Sequence, residues 1–260
     1  MGLQPIPSFE SPPLTEVAVG VILPPMPLQT RHIGEFWSEI RSEYPITEDN
    51  PPIPSAIEAT SRSFDVRLLT IPPLRRVFMM TPNREYVIQI QEGRFLHNWR
   101  KLPPEATYPR YPVVLERFQS AWRRFSGFAM RSGLGDPIPS GYELTYVNEL
   151  DDPAVHGIPA FVKSLDWQKL EPEFLLQPPQ ATNIAWSFTL PEYKGAMNVS
   201  SNRVTRPDGK TALLVVLSCV GPASESYSLE DWFETAHQWI VRGFTDLTTP
   251  EAHQFWKREA

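Results

Sequence analysis

The chain has 260 residues, of which 41% are apolar, so it is long enough and apolar enough to bury a sizeable core. Proline accounts for 29 residues, and its clusters are typical of stiff connections between elements rather than of a disordered chain. The net charge of −6 argues against a general nucleic-acid-binding protein, because affinity for a phosphate backbone comes largely from basic side chains.

The first predicted elements are a strand and a helix. Residues 16–23 form a β-branched run that ends at two prolines, which predicts a strand. Apolar residues then recur at helical spacing and predict a helix that ends before Pro45: Ile33, Phe36, Trp37, Ile40 and Tyr44. We also expect residues 57–70 and 75–80 to be extended.

Residues 86–99 predict a β-hairpin. Glu92 and Gly93 form a two-residue turn, in which glycine takes a positive φ. The turn sets Gln91 opposite Arg94, and the alternation of strand side chains then defines two sides. One side is apolar and faces the core: Tyr86, Ile88, Ile90, Phe95, His97 and Trp99. The other side is mostly polar: Val87, Gln89, Gln91, Arg94, Leu96 and Asn98.

The remaining pattern predicts three helices and four strands. Pro112 suits the first turn of a helix, which ends at Gly133 and Gly135. Four strands follow, the last two joined by a Pro-Asp-Gly turn: 141–150, 184–190, 196–205 and 211–220. Ser228 caps a further long helix, and Thr249 caps a last one that has proline in its first position.

Antiparallel strands followed by long helices predict an α+β fold, in which curved sheets pack against long amphipathic helices. The rhythm of residues 151–260 resembles that of residues 1–150, so these ranges are either two similar halves or parts of one continuous domain. The single cysteine excludes an internal disulfide, and neither a signal-peptide pattern nor a bilayer-spanning apolar run is present. We therefore expect a cytoplasmic protein that does not enter a membrane.

The residue types that carry chemistry do not form a catalytic or metal-binding pattern. Cys219 lies in an apolar strand, where cysteine usually acts as a small hydrophobic residue. Residues 151–156 contain two aspartates and a histidine, but no second pair of metal ligands accompanies them. Gly133 and Gly135 follow a helix, whereas a dinucleotide-binding loop follows a strand. We therefore predict no catalytic residue, no metal and no cofactor.

One group of polar residues stands above this background. It combines the polar side of the hairpin with nearby charged residues: Gln89, Gln91, Arg94, Asn98, Arg100, Arg110 and Glu143. A strand side so rich in amides and guanidinium groups is either solvated, or covered as a structural hydrogen-bond network, or used for recognition. We expect Arg100 to form a covered ion pair with Glu143. Arg94 and Arg110 should be exposed, because they lie in a turn and a loop.

Three stretches resemble the motifs of a known family: Q-I-Q-E-G-R-F-L-H-N-W-R at 89–100, Y-P-R-Y at 108–111 and G-Y-E-L-T-Y-V-N at 141–148. The family is bacterial, sporadically distributed and functionally uncharacterised, and it carries Q-x-Q-x-x-R-F-x-x-N-W-R, Y-P-R-Y and G-Y-E-L-x-Y-x-N motifs. The resemblance covers residues 12–150 by sequence and the rest by layout. It implies a bacterial, cytosolic protein, and the scattered occurrence of the family suggests a role in toxin–antitoxin systems or phage defence.

Three function classes follow from these observations. The first is a non-enzymatic binding protein that engages a protein partner through the basic, aromatic-flanked residues 89–131. The second is a small-molecule-binding protein or enzyme with a cavity between sheet and helices. The third, nucleic-acid binding, is disfavoured, because the nine basic and four acidic residues of 84–131 give +5 there against −11 elsewhere. A homo-oligomer is compatible with each class.

Overall fold

The computed structural model describes residues 6–52, 74–102, 106–150 and 184–259. These ranges contain nine strands: Leu14–Ile22 (β1), Ile46–Asn50 (β2), Arg76–Met80 (β3), Tyr86–Gln91 (β4), Arg94–Arg100 (β5), Gly141–Leu150 (β6), Ile184–Thr189 (β7), Ala196–Thr205 (β8) and Thr211–Pro222 (β9). They also contain four α-helices: Thr30–Ile40 (α1), Tyr111–Arg131 (α2), Leu229–Leu247 (α3) and Pro250–Phe255 (α4). The predicted extended stretch 57–70 and the residues 151–156 lie outside the described residues.

The chain divides into two compact units. We call the first the hairpin unit, which comprises Glu16–Leu144 and Val220–Leu229, and the rest the second unit. Neighbouring strands follow the order β2-β3-β4-β5-β1-β6 in the hairpin unit and β6-β9-β8-β7 in the second unit. Strand β6 is named in both orders because β6, like β9, contributes residues to both units. The β2–β3, β3–β4, β4–β5, β1–β5 and β7–β8 pairs are antiparallel. The α+β class with mostly antiparallel strands is therefore confirmed. None of the described helices is long and apolar enough to cross a membrane.

The β4–β5 hairpin has the predicted register. Gln91 lies opposite Arg94 and Ile90 lies opposite Phe95. Gly93 adopts a φ of 74° in the turn, a conformation that glycine accepts without steric cost. On the other edge of β5, valines of β1 face the apolar hairpin residues: Val17 lies opposite Trp99, Val19 opposite His97 and Val21 opposite Phe95.

Aromatic side chains fill the core on the apolar side of the hairpin. Phe95 of β5 stacks on Phe125 of α2, with ring centroids 4.9 Å apart. Phe36 of α1 meets Phe125 edge to face at 5.4 Å. All three rings are buried, and each contributes a large apolar area to the stability of the unit. The two helices and the sheet thus share one core.

The polar side of the hairpin is buried as well. Every residue from Val87 to Gln91 and from Arg94 to Trp99 is buried, so β4 and β5 are covered on both sides. The expectation that Arg94 is exposed is therefore wrong. Arg94 is next to the turn, but it is already part of β5, so its side chain lies on the polar side of the sheet, which is covered. The hairpin thus has an aromatic side and a charged side, and the candidate site lies on the charged side.

Two glycines of the hairpin unit provide a matched test of this packing. A methyl group at Gly20 would lie 2.8 Å from Leu96 Cγ and 3.1 Å from Glu143 Cγ, whereas nothing lies within 4 Å of one at Gly34 of α1. We expect Gly20→Ala to lower the free energy of unfolding by ~1–3 kcal/mol. Gly34→Ala should raise it by ~0.5–1 kcal/mol, because alanine favours a helix. Chemical denaturation measures both changes, and an unchanged Gly20→Ala protein would contradict the close contact.

Candidate functional site

Most of the predicted site residues lie on the polar side of the hairpin unit. Five of the seven are buried, each at most 7% exposed: Gln89, Gln91, Arg94, Asn98 and Glu143. Arg100 is half-buried, and Arg110 is exposed just before α2, as predicted. The solvated alternative is therefore wrong for the five buried residues. A structural network and a recognition site remain.

Side chains from five strands contribute to this side. The side-chain amide of Asn98 donates to Glu16 Oε1, and an Nη of Arg76 donates to Gln89 Oε1 at 3.5 Å. Glu16 interacts electrostatically with Arg76 and Arg100, and Arg76 interacts with Arg94. Charges on β1, β3 and β5 are thus coupled to one another. With Glu143 of β6 they form what we call the polar cluster: Glu16, Arg76, Gln89, Arg94, Asn98, Arg100 and Glu143.

Glu143 pairs with Arg94 rather than with Arg100, so the predicted Arg100–Glu143 pair is wrong. Arg94 Nε lies 3.4 Å from Glu143 Oε1, and both side chains are at most 10% exposed. The β1–β5 register explains the choice, because Glu143 lies against Gly20. Arg94 is opposite Ile22, two residues from Gly20, whereas Arg100 is opposite Glu16, four residues away.

Five buried polar atoms of the cluster make no hydrogen bond within the described residues: Arg76 Nε, Arg94 Nε, Arg100 Nε, Asn98 Oδ1 and Glu143 Oε1. Three of these atoms are donors and two are acceptors. The Arg94–Glu143 contact is therefore close enough for an ion pair but is not directed as a hydrogen bond. Each buried polar atom without a partner costs ~1–3 kcal/mol, and such atoms are rare in native proteins. Within the described residues, the hydrogen bonds of the cluster are thus incomplete.

Burial raises the pKa of both carboxyl groups in the cluster. For Glu16, desolvation is the largest cause, and the Asn98 hydrogen bond and the two nearby arginines oppose it. For Glu143, desolvation outweighs the opposing charge of Arg94. With both carboxylates ionised, three guanidinium groups face two negative charges. Protonation of either carboxylate makes the cluster still more positive.

Glu16 and Arg76 belong to the cluster, but the sequence analysis did not identify them. Glu16 opens a β-branched run, and Arg76 begins β3, so each looks like an ordinary charged residue at a strand end. Their place becomes visible only when β1 is paired with β5 and β3 with β4.

His97 lies on the opposite, apolar side of β5 and is not a member of the cluster. Its ring is fully buried, and its Nε2 lies 3.2 Å from the hydroxyl oxygen of Tyr44. Burial, followed by the charge of Arg117, lowers the pKa of His97 to about 3. Burial also raises the pKa of Tyr44. Both rings are therefore uncharged near neutral pH, as a core contact requires.

Cys219 is buried in β9, as predicted for a small core residue. Burial raises the pKa of its thiol to about 12. Because the thiolate is the nucleophilic form, this side chain is not activated for catalysis. Within residues 6–52, 74–102, 106–150 and 184–259, no group of three or more His, Cys, Asp or Glu side chains is arranged to hold a metal ion.

Comparison with known proteins adds a distant structural likeness. No family model and no curated protein matches the chain. Among solved structures, the chain is similar to the crystal structure of DynU16, a protein in the dynemicin biosynthetic locus. The match covers 94% of this chain and 99% of that chain, with 9% sequence identity and a TM-score of 0.28. A TM-score this low does not establish a shared fold.

The lowered pKa of His97 predicts a pH dependence of stability. An unfolded histidine binds a proton near pH 6.5, whereas folded His97 does so only near pH 3. Its contribution to stability is therefore complete above pH 6.5 and is lost by about 1.4 kcal/mol per pH unit as the pH falls towards 3. Between pH 6.5 and 5 the wild type should lose about 1.6 kcal/mol more than His97→Gln, because the unfolded imidazole is already half protonated at pH 6.5. Denaturant titrations check this, and equal losses would contradict a buried neutral imidazole.

Proposed function

We propose that the chain is a non-enzymatic binding protein and that the polar cluster holds a small polar molecule. One observation supports this proposal: three buried donors and two buried acceptors of the cluster make no hydrogen bond within the described residues, although two of them, Arg94 Nε and Glu143 Oε1, form an ion pair with each other. Small-molecule sites bury most of the ligand surface and orient it with a few polar groups. A protein interface instead needs ~800 Å² of accessible surface on each partner. Arg94, Asn98 and Glu143, none more than 7% exposed, offer little such surface.

A protein partner is the second candidate, and it is supported by different side chains. Arg110 is exposed, and Leu102 and Val113, which flank the same connection between β5 and α2, are each 39% exposed. Exposed apolar residues beside arginine are typical of partner-binding surfaces. The family resemblance adds a cytoplasmic location and a role in a toxin–antitoxin or phage-defence cassette. Both remain predictions.

The proposal also includes the finer form of the predicted fold, with curved sheets packed against long amphipathic helices and two similar halves.

In the second unit, a cavity of about 400 Å³ lies between β7–β8 and α3. Its lining is mainly apolar: Phe188, Met197, Trp239, Arg242, Gly243, Asp246 and Leu247. The volume suits a small molecule. None of the unpartnered buried atoms of the described residues belongs to this lining, so the polar cluster is the better-supported site.

Capture of a ligand tests the proposed function. The purified full chain is incubated with the low-molecular-weight fraction of a bacterial extract, desalted and denatured, and the released molecules are identified by mass spectrometry. The Arg94→Gln/Glu143→Gln variant removes both charges together, so neither is left buried alone. Arg131→Gln is the matched control, because Arg131 forms an exposed pair with Glu39 at 2.9 Å.

We expect the wild type and Arg131→Gln to release one small molecule in near-equimolar amount, and the double variant to release little of it. Retention that is equal in all three proteins, or no retained molecule at all, would refute the small-molecule proposal. In a parallel incubation with the protein fraction of the same extract, a protein that the wild type captures in one-to-one ratio and Arg110→Ala does not would instead support the second candidate.

A further inference from the structure

We infer that the ligand of the polar cluster is an oxyanion, a carboxylate or a phosphate, that also carries an N–H or O–H group. This inference rests on the proposed function and adds the chemical class of the ligand. It follows from two properties of the cluster: its excess positive charge and the kinds of atoms that lack partners.

The charge balance of the cluster favours an anion. Arg76, Arg94 and Arg100 supply three positive charges, and Glu16 and Glu143 supply at most two negative ones. Arg94 is buried, and Arg76 and Arg100 are half-buried, so water solvates the three charges only in part. Charges withdrawn from water are stabilised by pairing, because an unpaired charge in a low-dielectric environment is costly. A ligand with at least one negative charge would balance the third guanidinium group. A cationic ligand would add to the repulsion that already exists between Arg76 and Arg94.

The donors that make no hydrogen bond favour a carboxylate, whose oxygen atoms are coplanar with its carbon, or a phosphate, whose oxygen atoms are arranged tetrahedrally. In each of the three arginines, Nε makes no hydrogen bond in the described part of the chain, although Arg94 Nε lies 3.4 Å from Glu143 Oε1. The Nε–H and a neighbouring Nη–H of a guanidinium group point in parallel, and carboxylate and phosphate oxygens match this spacing. Arg76 already donates from an Nη to Gln89, so its Nε is offered from a side chain that is held in place.

The two acceptors that accept no hydrogen bond favour a ligand that also carries a donor. Asn98 Oδ1 and Glu143 Oε1 are buried and accept no hydrogen bond within the described residues. Asn98 is oriented by the bond from its amide nitrogen to Glu16, so its oxygen faces away from that carboxylate. A ligand hydroxyl or N–H beside the oxyanion would satisfy these oxygens. Hydroxy acids, amino acids and sugar phosphates share this chemistry.

Thermal melting with matched small probes tests the class. The carboxylate arm compares lactate, propionate, which lacks the hydroxyl, and lactamide, which lacks the charge. The phosphate arm compares glycerol 3-phosphate with glycerol. All melts use the full chain at one ionic strength and with probe in large excess, because a ligand that binds the folded state raises the melting temperature by mass action.

We expect lactate or glycerol 3-phosphate to raise the melting temperature of the wild type and of Arg131→Gln by about 2–4 °C. Propionate should have a smaller effect, and lactamide and glycerol none. The shift should vanish in Arg94→Gln/Glu143→Gln. If that variant does not fold, Arg76→Gln takes its place, because Arg76 is only half-buried. The shift should vanish in Arg76→Gln as well. A shift with the neutral probes, a shift that survives in the variants, or no shift with either anion would overturn the inference.

The two proposals fail in different ways. Capture of a neutral or cationic molecule that depends on Arg94 and Glu143 would uphold the small-molecule function and refute the oxyanion class. If an anion raises the melting temperature of both variants as much as that of the wild type, the polar cluster is not where the anion binds, and the oxyanion inference is refuted. The capture experiment then decides the proposed function.

Discussion

The burial of charged groups on one side of the hairpin is the constraint on which the rest of the hairpin unit depends. Removing a carboxylate or a guanidinium group from water costs several kcal/mol, and only a close opposite charge with good hydrogen bonds offsets that cost. In the polar cluster, Arg94 and Glu143 supply the close charge, but their facing atoms make no hydrogen bond in the described part of the chain. The apolar side of the same strands must therefore provide the stability that the polar side lacks.

Strand geometry lets one short segment serve both purposes. Neighbouring residues of a strand point to opposite sides of the sheet, so His97 and Asn98 have opposite environments although they are adjacent. His97 lies among aromatic rings and is kept neutral, whereas Asn98 holds Glu16 and offers its oxygen to the polar cluster. A rigid, aromatic-packed strand can thus hold polar atoms in fixed positions on its other side. Such preorganisation is what a binding site requires.

The hairpin and its register were predictable because alternation and turn chemistry are local properties of the sequence. The partner of Glu143 was not, because it depends on how β1 pairs with β5, which residues 86–99 do not encode. Glu16 and Arg76 were missed for the same reason. The burial of Arg94 was predicted wrongly, because exposure depends on what covers a strand side and not on distance from a turn. Local patterns therefore identified the strand side on which the polar cluster lies, whereas the charge pairing within the cluster needed the strand order.

The coupling free energy between Arg94 and Glu143 tests the buried charge pair most directly. A double-mutant cycle with Arg94→Gln and Glu143→Gln, measured by chemical denaturation, gives this value, and a cycle on the exposed Arg131–Glu39 pair serves as the reference. The structure predicts a coupling of at least ~1.5 kcal/mol for the buried pair and below ~1 kcal/mol for the exposed pair. A buried pair that couples no more strongly than the exposed one would contradict a charged cluster removed from water.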